Sequence, residues 1–253
     1  MTEFETTGPA PAPIEEPQRE RYPFWNYSDL AVFLLIAFPC LVVAFMIVRT
    51  VHLALGTGGS RAVELLPAQF LGFALSFLLL ALFLRLKYRR PFWTSLGWVR
   101  PWEGFAYRAA SGVTLALAIA VAGTVLKTPN IDMPIKELLG DKLSLVLVGI
   151  SAATLGPLFE ELAFRGFLMP LLVRSLGTAA GIVMSALPFA LLHGPQYAWS
   201  WRHILLVTLA GSAFGWVRHR SGSTAAATVM HGAYNATLML AFVIYGEDSP
   251  VKW

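Results

Sequence analysis

The sequence predicts an all-helical, polytopic membrane protein with about seven transmembrane helices. Of its 253 residues 56% are apolar and only 13% charged, a balance far from that of an ordinary soluble domain. Several runs approach the ~20 apolar residues that cross a bilayer as a helix. None shows the period-2 alternation of barrel strands. The net charge of +4 does not point to nucleic acid, because Lys and Arg sit mainly in loops between apolar runs, where topology accounts for them. The single cysteine, Cys40, lies within the first apolar run. It allows no intrachain disulfide and no thiolate metal cluster, which leaves a packing role.

Residues 1–28 hold five prolines and five glutamates with no apolar period, a composition that reads as a disordered cytoplasmic tail. With no cationic start, short apolar core and small-residue cleavage site, the tail is not a cleavable signal peptide, so insertion relies on the first helix. Tyr22, Phe24, Trp25 and Tyr27 precede that helix and are expected at the headgroup layer. Residues 29–253 form the transmembrane domain, with helices expected at about 30–48, 63–84, 109–126, 143–174, 178–193, 204–217 and 224–245. Most of the 19 cations then fall on the side of the N-terminus, led by Arg85, Lys87, Arg89 and Arg90. That bias predicts a cytoplasmic N-terminus and an outside C-terminus. Residues 91–107 are too interrupted to span and carry three tryptophans beside this basic run, as expected of a membrane-surface anchor. No internal repeat supports an inverted-repeat transporter.

The stretch Gly156-Pro157-Leu158-Phe159-Glu160-Glu161-Leu162-Ala163-Phe164-Arg165-Gly166 places three ionisable residues inside an apolar segment. A charge at the centre of a membrane helix costs at least ~2.5–3.5 kcal/mol, so function is the default reading. Adjacent residues of a helix point about 100° apart, so the two glutamates are expected to have different tasks. Glu161 and Arg165 form an i, i+4 pair in the favourable order and are read as a neutralised scaffold pair. Glu160 is left to act as a general base on water.

Two further elements follow. In Phe189-Ala-Leu-Leu-His193 an aromatic ring and an imidazole share one helical face, and Gly194-Pro195 ends the helix directly afterwards. In His231-Gly-Ala-Tyr-Asn235 two polar side chains again stand at i, i+4 inside the last apolar run, where they need partners other than backbone. A hairpin turning near Ser175 sets Glu160 level with His193. His231 lies only about eight residues from its own loop. To reach that depth, the hairpin tip must project beyond the loop.

These elements, EELAFR, FALLH and HGAYN, resemble in order the Glu-Glu-x-x-x-Arg, Phe-x-x-x-His and His-x-x-x-Asn motifs of the CPBP intramembrane proteases, the family of CAAX prenyl endopeptidases and Abi bacteriocin-immunity proteins. The resemblance covers a core at about 143–245. It implies that Glu160 and His193 activate the attacking water and that His231 and Asn235 stabilise the oxyanion, with Glu161, Arg165 and Phe189 in support. The implied substrate is a membrane-associated peptide or protein, including a CAAX-type prenylated one, and no nucleic acid is involved.

Blander readings stand beside this one. Glu160, Glu161 and Arg165 form a structural ion-pair cluster in about one reading in five. His193, His231 and Asn235 taken singly are ordinary membrane hydrogen-bonding residues. His52, His203 and His219 sit near expected helix ends, within reach of water, and carry no assigned chemistry. Gly211-Ser-Ala-Phe-Gly215 reads as a small-residue helix contact rather than a serine nucleophile. No His-Glu-x-x-His occurs. Glu160, His193 and His231 nevertheless form a His₂Glu set able to bind zinc with an open position, so metal dependence stays open. The alternatives to a protease are a transporter or channel, and a noncatalytic immunity or scaffold protein.

Overall fold

Asn26 starts the first helix: its side chain accepts the Ser28 and Asp29 amides, while Asp29 reaches back to the Asn26 amide in a capping box. The structure, a computed structural model, describes residues 22–56, 61–100, 102–131 and 141–245. Its helices are α1 (Tyr27–Leu55), α2 (Arg61–Tyr88), the short α3 (Phe92–Ser95) and α4 (Phe105–Val125), followed by α5 (Lys142–Ala153) and α6 (Leu155–Glu161). A π-helical turn, Leu162–Leu168, then leads into α7 (Met169–Leu176), α8 (Thr178–Leu192), a 3₁₀ turn (Gly194–Tyr197), α9 (Trp201–Ser221) and α10 (Thr224–Tyr245). No strand occurs among the described residues.

Five helices are long and apolar enough to cross a bilayer: α1, α2, α4, the continuous stretch Lys142–Leu176, and α10. With the shorter α8 and the more polar α9, the bundle has the seven long elements expected from the sequence. The chain is an integral multi-pass membrane protein.

α1 packs on α2, α4 on α10, and α8 between α7 and α9, while α10 also meets α5, α6 and α9. The last helix is therefore the hub. Its contact with α4 depends on Gly112, because a β-carbon there would run into the Met230 carbonyl. Phe33 of α1, Phe77, Leu80 and Leu84 of α2, and Leu162, Phe167 and Leu171 of the motif-bearing stretch share one buried cluster.

Three expectations are revised here. Residues 1–21 of the expected tail lie outside the described residues, but residues 22–28 are placed. Trp25, assigned to the headgroup layer, is fully buried; it stacks on Phe167 at 5.3 Å and donates its indole N–H to the Phe167 carbonyl at 3.1 Å. An indole buried with its N–H paired gains more from the core than from the interface. Tyr22 and Tyr27 remain largely exposed. Secondly, the linker at 91–107 is more than a surface anchor. Trp93 and Trp102 are exposed, but Leu96 is fully buried. The Thr224 hydroxyl donates to the Leu96 carbonyl at 2.5 Å, the Thr224 amide donates to Gly97, and the Ser223 hydroxyl donates to Val99.

Residues 96–99 thus cap the α9–α10 turn. Finally, the stretch expected as one straight helix at 143–174 is broken at Thr154 and widened into a π turn at Leu162–Leu168.

Candidate active site

Both irregularities follow from the sequence. Pro157 has no N–H to offer the Ala153 carbonyl and its ring crowds that carbonyl, and the backbone breaks at Thr154 (φ −129°, ψ −79°). Broken helices in membranes are tolerated where the freed carbonyls find partners in a cavity or another helix. Here Asn235 donates its side-chain amide to the Ala152 carbonyl at 2.8 Å. Pro170 likewise cannot bond to Gly166, and the Met169 amide reaches five residues back to Phe164. Such π turns occur mostly at functional sites.

The π turn carries Arg165, which is fully buried together with Glu161. Arg165 Nη1 donates to Glu161 Oε1 at 2.9 Å and Nη2 donates to the Gly211 carbonyl at 2.8 Å. Its guanidinium lies 4.6 Å from the centre of the Phe189 ring and 5.6 Å from that of Phe214, a cation–π sandwich in place of hydration. Close approach of α9 requires Gly211, because a β-carbon there would stand 2.7 Å from Arg165 Nη2 and 3.1 Å from Ala186. The Gly211–Gly215 run is thus the helix contact that the sequence suggested.

His231 sits between the two glutamates. Its Nδ1 is 2.9 Å from Glu161 Oε1 and its Nε2 is 3.7 Å from Glu160 Oε2. A carboxylate only accepts, so Nδ1 carries the proton and Nε2 faces Glu160. Although helical spacing sets the two glutamates about 100° apart, they approach opposite edges of one imidazole. Their environments still differ, since Glu161 is fully buried whereas the Glu160 side chain is 25% exposed.

Phe214 stacks on the His231 ring at 4.4 Å, a contact that sequence reasoning missed although it lies within the Gly211–Gly215 run. His193 ends α8 and donates from Nδ1 to the Phe189 carbonyl at 2.8 Å, which leaves Nε2 as its basic nitrogen. Gly194 must lack a β-carbon because the Trp199 ring would lie 2.5 Å away.

Glu160, His193, His231 and Asn235 line one cavity of about 330 Å³, within the range of small-molecule sites. Phe189 lines it too, with its ring 4.6 Å from that of His193 and 5.8 Å from that of His231. Two carboxylates and one guanidinium leave one negative charge in this cluster, which a single proton on Glu160 or His231 cancels. His203 is corrected: it is not at a water-accessible helix end but buried on the cavity wall, stacked on Tyr197 at 4.9 Å. Among the described residues no group of three His, Cys, Asp or Glu is placed to hold a metal ion.

Fold and site together define a class, a multi-pass helical membrane protein with a buried acid, histidine and arginine cluster opening on a cavity. Comparison adds a similarity: residues 142–237 match the model of a family described as type II CAAX prenyl endopeptidase, Rce1-like, the segment that also carries the CPBP-like motifs. It is a family of membrane proteases, and the matched segment contains every motif residue. Neither a curated protein nor a solved structure matches the chain.

Proposed function

We propose that this protein is an intramembrane endopeptidase that hydrolyses a peptide bond of a membrane-associated protein or peptide, with CAAX-type prenylated chains as the first substrate class. The observation that carries the reading is the shared cavity: Glu160, His193, His231 and Asn235 come from three separate stretches of chain and line one space.

In the proposed reaction a water bound between Glu160 and the free Nε2 of His193 gives a proton to Glu160 as its oxygen attacks the scissile carbonyl carbon. The oxyanion is held by the N–H of Asn235 not used by Ala152, and by Nε2–H of His231 when that ring is doubly protonated. Glu161 fixes the His231 ring through Nδ1, and Arg165 offsets the Glu161 charge. As the C–N bond breaks, the proton held by Glu160 passes to the leaving amine. The cytoplasmic N-terminus inferred from the Arg85–Arg90 run belongs to the same proposal, and labelling of single cysteines placed at each end from either side of the membrane tests it.

The experiment is cleavage of a farnesylated CAAX peptide by protein reconstituted in vesicles, with the unprenylated peptide alongside. Wild type is expected to cleave, and Glu160→Gln to lose at least about 10²-fold in kcat while folding normally. Full cleavage by a normally inserted Glu160→Gln or His231→Ala variant overturns the mechanism. Ion flux lost on Glu160 substitution, without any proteolysis, supports a transporter instead. Stoichiometric zinc, with activity lost on chelation and restored by zinc, makes it a metalloenzyme using Glu160, His193 and His231.

A further inference from the structure

The cavity has polar side chains that this mechanism does not use. Both ring nitrogens of His203 are buried and have no hydrogen-bond partner. Its ring lies flat against Tyr197, with 10° between the planes. Tyr234 stands three residues from His231 on α10, on the same helical face, with its ring edge-on to Phe214 at 5.6 Å. The hydroxyls of Tyr197 and Tyr234 also make no hydrogen bond within the described residues. All three side chains line the cavity that Glu160 and His193 share.

Buried polar groups in native proteins are nearly always paired, so the unpaired His203 nitrogens, beside two phenols with no partner on the same cavity, point to a partner that arrives from outside. The chemistry of the wall limits that partner. Among the described lining residues there is no Lys or Arg, and Glu160 is the one carboxylate, so nothing on this wall selects an anion. Two phenols and an imidazole offer both donors and acceptors without a fixed charge, which suits the N–H and C=O groups of a peptide backbone. A site built this way also discriminates, since a ligand lacking the matching groups leaves its polar atoms unpaired.

We propose that Tyr197, His203 and Tyr234 form a subsite that hydrogen-bonds the backbone of the substrate peptide next to the scissile bond. The assignment rests on the hydrolase reading above and adds the contacts that hold the peptide. Tyr197→Phe, Tyr234→Phe and His203→Phe each remove the polar atoms and keep the ring that packs. With the farnesylated CAAX peptide as probe, each is expected to raise KM about tenfold with kcat within about twofold, the pattern of a contact made equally in ground and transition states.

The same peptide is titrated against Glu160→Gln protein alone and combined with each Phe variant, which gives Kd without turnover; about a tenfold weakening is expected. Unchanged KM and Kd in all three variants overturns the subsite while leaving the hydrolase intact. A fall in kcat at unchanged KM also overturns it, and moves that side chain to the reacting carbonyl. If wild type binds but does not cleave, the hydrolase reading falls, and the Kd shifts alone decide the subsite. No binding at all overturns both.

Discussion

Replacing Arg165 by methionine tests whether the buried cluster is an electrostatic unit. The methionine side chain still packs between the Phe189 and Phe214 rings, but the guanidinium is lost. Glu161 Oε1 then has His231 Nδ1 as its remaining partner, and the Gly211 carbonyl, still bonded within α9, loses its second donor. Removing one member of a fully buried ion pair leaves an uncompensated charge, and costs about 3–5 kcal/mol. Changing Glu161 to Gln in the same chain removes that charge, while the new amide oxygen still accepts from His231 Nδ1–H. What remains is mainly the second hydrogen bond lost from the Gly211 carbonyl, about 1 kcal/mol.

The double variant is therefore expected to be more stable than Arg165→Met alone by about 2 kcal/mol, although it carries one more substitution. The assay is reversible unfolding in mixed micelles, followed by the fluorescence of the eight tryptophans. The reasoning is refuted if Arg165→Met lies within about 1 kcal/mol of wild type. It also fails if the double variant is no more stable than the single one.

Two further outcomes follow from the packing. Gly211→Val forces side-chain carbons into the space of Arg165 Nη2 and Ala186; it is expected to destabilise by about 1–3 kcal/mol and to lower cleavage by displacing Arg165, as read in the same unfolding and peptide assays. Trp25→Phe keeps the stack on Phe167 but frees the Phe167 carbonyl in the π turn, for an expected loss of about 1 kcal/mol in unfolding. An unchanged midpoint for Trp25→Phe would show that the carbonyl finds another donor.

By itself the sequence determined the solvent, the helices and the polar residues that meet at one cavity. Apolar runs of bilayer length admit little except helices, because lipid offers no partner for a free backbone group. The cost of a charge in that medium singles out Glu160, Glu161 and Arg165, and helical spacing alone pairs Glu161 with Arg165.

Tertiary structure decided what periodicity cannot encode. The Thr154 break and the π turn have visible causes in Pro157 and Pro170, but the side chains that pair with carbonyls beside them, Asn235 with Ala152 and Trp25 with Phe167, come from 83 and 142 residues away. Trp25 looks like an interfacial tryptophan in any local window, and only its fit against Phe167 makes it core. The meeting of both glutamates on His231 joins segments 70 residues apart in the chain, which no local pattern encodes. His203 stayed unrecognised for the same reason. A lone histidine near a helix start carries no local signal, and burial against Tyr197 is a property of the assembled cavity.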